Sequence, residues 1–130
     1  MAYIDHSMEF VEAPAFTRNI AAYFADDEYL RLQRWLANNP ESGDLMPGSG
    51  GFRKLRWADP KRSKGRRGGL RIIYYYFLAD QQIWLMALYD KSEASDLTAK
   101  QKKALKNALE VELGLRQSKQ SRARLRRSRS

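Results

Sequence analysis

The chain contains no cysteine and a single histidine among its 130 residues. Without cysteine, disulfide bonds, thiol catalysis and cysteine-based zinc sites are excluded. The one histidine, His6, lies at the extreme N-terminus, where an exposed terminal residue is the simplest interpretation. Chemistry that needs a histidine pair, for acid–base catalysis or metal binding, is therefore excluded as well.

Long apolar runs are also missing. The most apolar stretch, residues 70–88, is interrupted by Arg71, Asp80, Gln81 and Gln82, so we expect no membrane span. The N-terminus has no basic region followed by an apolar run, so we expect no secretory signal. A hydrophobic content of 43% and fifteen aromatic residues suit one folded domain. These features favour a cytoplasmic protein.

Acidic residues are scarce in two segments that hold most of the positive charge. Residues 53–71 contain nine cations and one acid, which give +8, and residues 116–130 contain seven cations and no acid, which give +7. The whole chain carries only +9. Such concentrated charge favours an anionic partner, and the phosphate backbone of a nucleic acid is the commonest one.

The apolar spacing predicts an α+β fold. We expect an antiparallel β-sheet meander that packs against two N-terminal helices and one C-terminal helix. The predicted strands are residues 8–11, 52–57, 70–78 and 83–89, and residues 41–51 are a predicted loop. The predicted helices begin at Pro14, at an Asp26 cap and at a Thr98–Gln101 capping box, and the last ends near Gly114. The sequence predicts a domain over residues 1–115 and a disordered basic tail over residues 116–130.

Cations recur on three of the predicted strands. Two-residue periodicity places Lys54 and Arg56 on one face of a strand, and Arg71 begins the next strand. Tyr89 and Lys91, also two apart, end a third strand. If the strands form a meander, these five side chains converge on a cationic surface suited to an RNA phosphodiester.

RNA supplies its own nucleophile, the 2′-hydroxyl group. Cleavage then needs a base for that hydroxyl, cations for the pentacoordinate phosphorane and an acid for the departing 5′ oxygen. A lysine can be the base if neighbouring cations lower its pKa. Asp90, Glu93 and Asp96 are interpreted as caps or surface charges, so the predicted chemistry is metal-free and uses no cofactor.

The remaining cations of the basic segment are predicted to hold RNA without taking part in the chemistry. Those after Trp57 lie in a predicted hairpin loop over residues 59–69. The predicted RNA-binding residues are Arg53, Lys61, Arg62, Lys64, Arg66 and Arg67. For the consecutive tyrosines 74–76, packing is favoured over base stacking, because neighbouring residues alternate between faces.

The runs NPESGDLMPGSGGFRKLRW, GGLRIIYYYF and LMALYDKSEASDLTAKQ, followed by an amphipathic helix, resemble the RelE/ParE toxin superfamily. The HigB-like branch of bacterial type II toxin–antitoxin modules is the most similar, over residues 8–113. The resemblance implies a ribosome-dependent mRNA endonuclease that stops translation. Its strand cations match Lys54, Arg56 and Arg71, and its cation after the last strand matches Lys91. Where some members have a catalytic tyrosine this chain has Leu97 and Thr98, which makes Tyr89 the candidate substitute.

The resemblance also implies partners. They are a cognate antitoxin, often a helix-turn-helix protein, and mRNA and rRNA on the ribosome, with operator DNA bound only through the antitoxin. Two alternatives remain open from the residues. The same charge would serve a non-catalytic RNA- or ribosome-binding protein, and a ParE-like inhibitor of DNA gyrase would use the same fold.

Overall fold

Three helices and the five strands of one sheet make up the described part of the chain. The computed structural model describes residues 8–58, 69–91 and 97–128. In chain order the elements are β1 (Glu9–Glu12), α1 (Pro14–Tyr23), α2 (Asp26–Asn38), β2 (Asp44–Leu45), β3 (Arg53–Trp57), β4 (Leu70–Phe77), β5 (Gln82–Asp90) and α3 (Ala99–Ser128). Two compact units result: residues 8–46, 51–58 and 69–91 form the first, and residues 47–50 and 97–128 form the second. The predicted α+β class is confirmed.

The five strands form a mixed sheet in the order β1-β5-β4-β3-β2. β3, β4 and β5 pair antiparallel, as the predicted meander requires. Two corrections apply. β1 runs parallel to β5, so the sheet is not wholly antiparallel, and β2 lies inside residues 41–51, which the sequence predicts to be a loop. A two-residue strand is too short to show a periodicity.

A β-bulge divides β5 into two halves. Ile73 of β4 pairs with Ala87, but its neighbour Tyr74 pairs with Leu85, which leaves Met86 as the extra residue. The burial pattern of β5 changes phase at the same point. A bulge places two residues of one strand opposite a single residue of its partner, so the alternation of side chains between the two faces shifts by one residue at that point. Leu85 and Leu88, three positions apart, therefore both reach the core.

The core lies between one face of the sheet and helices α1 and α2. We name this face, which carries Leu55, Ile72 and Leu88, the core face. The fully buried residues on the helices are Phe16, Leu32 and Leu36. Pro14 starts α1 with a preset backbone angle, and two hydrogen bonds join this part of the chain to β5: Ala13 N to Leu85 O (2.9 Å) and Asn19 Nδ2 to Leu88 O (3.1 Å).

The three consecutive tyrosines pack within the sheet, as the sequence predicts. Tyr74 is fully buried in the core. Its hydroxyl donates to Pro40 O (2.8 Å) and accepts from Gly43 N (2.9 Å), which fixes the turn that follows α2. On the other face Tyr75 belongs to an aromatic series whose neighbouring ring centroids lie 4.6 to 5.3 Å apart, formed by Phe52, Tyr75, Phe77 and Trp84.

The N-terminus of α2 differs from the prediction that Asp26 caps it. Ala25 is the N-cap residue, and its backbone N–H donates to the Glu28 carboxylate at 2.8 Å. Asp26 is already the first helical residue, where its charge favours the helix dipole. The Glu28 carboxylate thus accepts from the backbone N–H of the N-cap residue, which is a different bond from the one that a capping Asp26 would make.

Helix α3 begins as predicted but ends elsewhere. Thr98 N donates to Gln101 Oε1 (2.8 Å) and Gln101 N donates to Thr98 Oγ1 (3.1 Å), so the capping box is confirmed. The helix continues past Gly114 to Ser128, which makes the predicted end wrong, and residues 116–128 of the predicted disordered tail are helical. The division into a domain at 1–115 and a tail, and the packing of α3 on the sheet, stay predictions.

In residues 8–58, 69–91 and 97–128, no helix has both the length and the apolar character that crossing a membrane requires. The cytoplasmic location stays a prediction.

The contact between Tyr29 and Glu12 makes the free energy of unfolding depend on pH in the alkaline range. The Tyr29 hydroxyl donates to Glu12 Oε2 (2.6 Å), while Thr17 Oγ1 donates to Glu12 Oε1 (2.8 Å). Burial, and next the bond to Glu12, raise the pKa of Tyr29 well above its ordinary value. The neutral phenol is thus favoured in the folded state. Its contribution is complete below the unfolded pKa of about 10 and is lost as pH rises from there towards the folded pKa.

We expect Tyr29→Phe to lower the free energy of unfolding by about 1–3 kcal/mol at pH 8, because a hydrogen bond to a carboxylate is lost. That difference from the wild type should stay constant up to pH ~9.5 and shrink above pH ~10. Urea denaturation at pH 8, 9, 10 and 11 measures it. A difference that grows above pH 10 would contradict the direction of the Tyr29 pKa shift.

Candidate functional site

The strand register brings three of the predicted site residues into one row. Arg56 of β3 is directly opposite Arg71 of β4, and Arg71 is directly opposite Tyr89 of β5. Side chains directly opposite each other lie on the same face, with Cβ atoms about 5 Å apart. The row therefore crosses three strands on the side away from the core. We name this side, defined by Lys54, Arg56, Arg71 and Tyr89, the cationic face.

Two lysines flank the row. Lys54 lies two residues before Arg56 on β3, so it shares the same face about 7 Å along the strand. Lys91 lies two residues after Tyr89, and its backbone N–H donates to Gly69 O at 2.9 Å, which continues the pairing of β4 with β5 by one residue. Alternation therefore places the exposed Lys91 on the Tyr89 side.

The two arginines of the row differ in exposure. Arg71 has only 6% of its surface accessible, and its Nη1 donates to the carbonyl of Leu70 at 3.2 Å. Arg56 is exposed. Like charges directly opposite in a sheet repel each other, and an anion that binds both of them removes this cost. The pair is thus a buried guanidinium beside an exposed one.

The structure does not bring Arg53 to the cationic face. Arg53 is opposite Tyr74, on the core side of β3. Its Nη1 donates to Glu41 O (3.0 Å) and Gly43 O (2.8 Å), and its Nη2 lies 3.4 Å from Glu41 Oε2. These contacts hold the turn before β2. The RNA-binding role of Arg53 stays a prediction, but its guanidinium already serves the fold.

The other predicted RNA-binding residues, Lys61, Arg62, Lys64, Arg66 and Arg67, lie outside the described residues. So do Glu93 and Asp96.

Sequence reasoning did not give the positions of two carboxylates. Asp44 of β2 is opposite Lys54, so the exposed edge of the sheet offers this lysine an opposite charge. Asp90, which the sequence suggests is a cap or surface charge, is 1% exposed and follows Tyr89 on the core side of β5. The signal for Asp90 was present: it continues the alternation of Ile83, Leu85 and Leu88 once the bulge is allowed for.

Among the described residues, no group of three or more histidine, cysteine or acidic side chains could hold a metal ion. The cationic face carries concentrated positive charge, an amine and the phenol of Tyr89, whose hydroxyl oxygen is buried. Such a set can bind a phosphodiester, neutralise charge that develops on phosphorus and exchange protons with it. No protein-family model matches the chain.

Proposed function

We propose that this chain is the toxin of a type II toxin–antitoxin module, with a RelE-like fold of the HigB branch. It would be a ribosome-dependent mRNA endonuclease that inhibits translation. The observation that supports this most is the row of Arg56, Arg71 and Tyr89, with Lys54 beside it, on one face of three adjacent strands. Of the four cations that match the family, Lys54, Arg56 and Arg71 lie there beside Tyr89, the candidate substitute for the family's tyrosine. The fourth, Lys91, follows on the same side.

In the proposed reaction the 2′-oxygen attacks the adjacent phosphorus, and the bond to the 5′ oxygen of the next nucleotide breaks. The products are a 2′,3′-cyclic phosphate and a 5′-hydroxyl. Arg56 and Arg71 stabilise the extra negative charge on the phosphorane, because the guanidinium fork fits two phosphate oxygens. Lys54 and Tyr89 are the candidate bases for the 2′-hydroxyl, and Lys91 is the candidate acid for the leaving oxygen.

The proposed partners follow from the same assignment. An antitoxin with a helix-turn-helix domain would block the cationic face or its surroundings and would carry the complex to operator DNA. The mRNA would be presented in the ribosome, with rRNA contacts from other cations. The protein would act in the cytoplasm.

Mapping of mRNA ends tests the proposal. Cells that express the chain without an antitoxin should stop growing, and primer extension should reveal new 5′ ends inside coding regions within minutes. Growth arrest with intact mRNA would reject the endonuclease. In that case inhibition of DNA supercoiling would favour the gyrase alternative, and binding to ribosomes alone would favour the non-catalytic alternative.

A further inference from the structure

The last turns of α3 form a segment whose charge has one sign. Residues 117–127 contain five cations and no acid. The nearest acid before them, Glu112, is held by Arg116, whose Nε lies 2.8 Å from Glu112 Oε2. We name residues 117–127 the basic arm. Its cations are Lys119, Arg122, Arg124, Arg126 and Arg127, and all five side chains are exposed.

The arm is helical although its own charges oppose the helix. Lys119 and Arg122 are three residues apart, Arg122 and Arg126 are four apart, and each such like-charged pair costs about 0.2–0.5 kcal/mol. Alanine, arginine, lysine and glutamine favour a helix, and cations suit its C-terminal end, so the opposing terms nearly balance. A partner that removes the repulsion would therefore stabilise the helical arm.

The spacing of the cations matches a nucleic acid strand. From Lys119 to Arg127 the helix axis advances about 12 Å, so the five cations follow one another at a mean spacing of roughly 3 Å along the axis. A nucleic acid strand carries one phosphate per about 3.4 Å of a duplex axis. Both partners are thus linear arrays of similar charge density.

A membrane surface fits the arm less well. Its two apolar residues, Ala123 and Leu125, are two positions apart and so point to different sides of a helix. Helices that lie on membranes need a continuous apolar face to enter the lipid, and electrostatic attraction alone binds weakly.

We propose that the basic arm is an RNA-binding helix that contacts the phosphodiester backbone. It adds affinity without reading sequence. This inference rests on the proposed function in taking RNA as the ligand. It gives residues 117–127 a role that does not depend on catalysis.

The salt dependence of RNA binding tests the arm. The probe is a single-stranded 2′-O-methyl RNA of about twenty nucleotides, which has no free 2′-hydroxyl and cannot be cleaved. Each phosphate contact to a single strand adds about 0.7 to the slope of log K against log salt concentration. The triple variant Arg122→Gln, Arg124→Gln and Arg126→Gln should lower that slope by about 2 and weaken binding at least ten-fold at low salt.

The matched control removes the same charge from the first unit. Arg18, Arg31 and Arg34 are exposed on α1 and α2, and their triple replacement by glutamine should change the slope by less than 0.5. Equal changes in both variants would overturn the arm proposal, because net charge alone would then explain the effect. The arm proposal would also be overturned, in favour of a lipid partner, if the arm variant kept its RNA affinity but lost binding to vesicles that contain phosphatidylserine.

The two proposals fail in different ways. If the wild type cleaves mRNA and the arm variant has the same salt-dependence slope as the wild type, the arm proposal is rejected and the endonuclease proposal is kept. If the wild type does not cleave mRNA but the arm variant has a smaller salt-dependence slope, the arm proposal is kept and the endonuclease proposal is rejected.

Discussion

Replacing Arg56 with alanine should slow mRNA cleavage by about 100-fold or more and leave the fold intact. Arg56 is exposed and lies directly opposite the buried Arg71, so its loss opens no cavity. One donor aimed at charge that develops in a transition state is worth about 10² to 10³ in rate, and a guanidinium on a phosphorane is such a donor. The measurement is single-turnover cleavage of a programmed mRNA on ribosomes.

Combining Lys54→Ala with Arg71→Ala should abolish growth arrest in cells that lack the antitoxin. The double variant removes a cation on each of two neighbouring strands of the cationic face. Because Arg71 is buried, the fold of the double variant must be verified by circular dichroism. Arg71→Lys provides a further variant that keeps the charge but loses the planar guanidinium fork.

The control for both experiments is Arg31→Ala, an exposed cation of α2 outside the cationic face. It should retain full cleavage and full toxicity. A folded double variant that is as toxic as the wild type would reject the assignment of the site, whatever the protein's target proves to be.

Replacing Phe16 with alanine should lower the free energy of unfolding by about 3–5 kcal/mol. Phe16 is fully buried where α1 meets the sheet, and its ring centroid lies 6.1 Å from that of Tyr29 on α2. The substitution removes most of an aromatic side chain from the contact among three elements and leaves a cavity. Such a loss is a large part of the 5–15 kcal/mol that stabilises a typical domain.

Urea denaturation followed by tryptophan fluorescence measures this effect. Phe16→Leu keeps most of the volume and should cost less than ~1.5 kcal/mol. Leu78→Ala, at a turn position that is 67% exposed, should change stability by less than ~0.5 kcal/mol. If Phe16→Ala were no more costly than Leu78→Ala, α1 would not be part of the cooperative core.

The sequence predicted those helices and strands in which the apolar periodicity extends over several neighbouring residues. Phe16 and Ile20 mark one face of α1, and the prediction that Lys54 and Arg56 share one face of a strand was confirmed in β3, where Leu55 between them is in the core. The parallel pairing of β1 with β5 could not be predicted, because it joins residues about 70 positions apart that carry no local signal for each other. Gly114 suggested a helix end since glycine costs about 1 kcal/mol in a helix, but the residues around it favour helix strongly enough to continue.

The candidate site was predictable as a set of residues but not as an arrangement. Two-residue periodicity says which side chains share a face of one strand, and it does not say which residue of the next strand lies opposite. That Arg56 is opposite Arg71 and Arg71 is opposite Tyr89 depends on the pairing register. Arg53 is a different case, because charge alone assigned it to RNA although two-residue periodicity already places it on the face opposite to Lys54 and Arg56.

The extra residue at Met86 has a consequence for how this chain can change over evolutionary time. With Met86 in place, Tyr89 at one end of β5 and Trp84 at the other both avoid the core. Because Met86 is the extra residue, its deletion would convert the bulge into regular pairing and leave Leu85 and Tyr89 on their present faces. Descendants of this gene can therefore lose Met86 and keep both faces of β5, whereas loss of a residue beyond the bulge, such as Leu88, would turn Tyr89 towards the core.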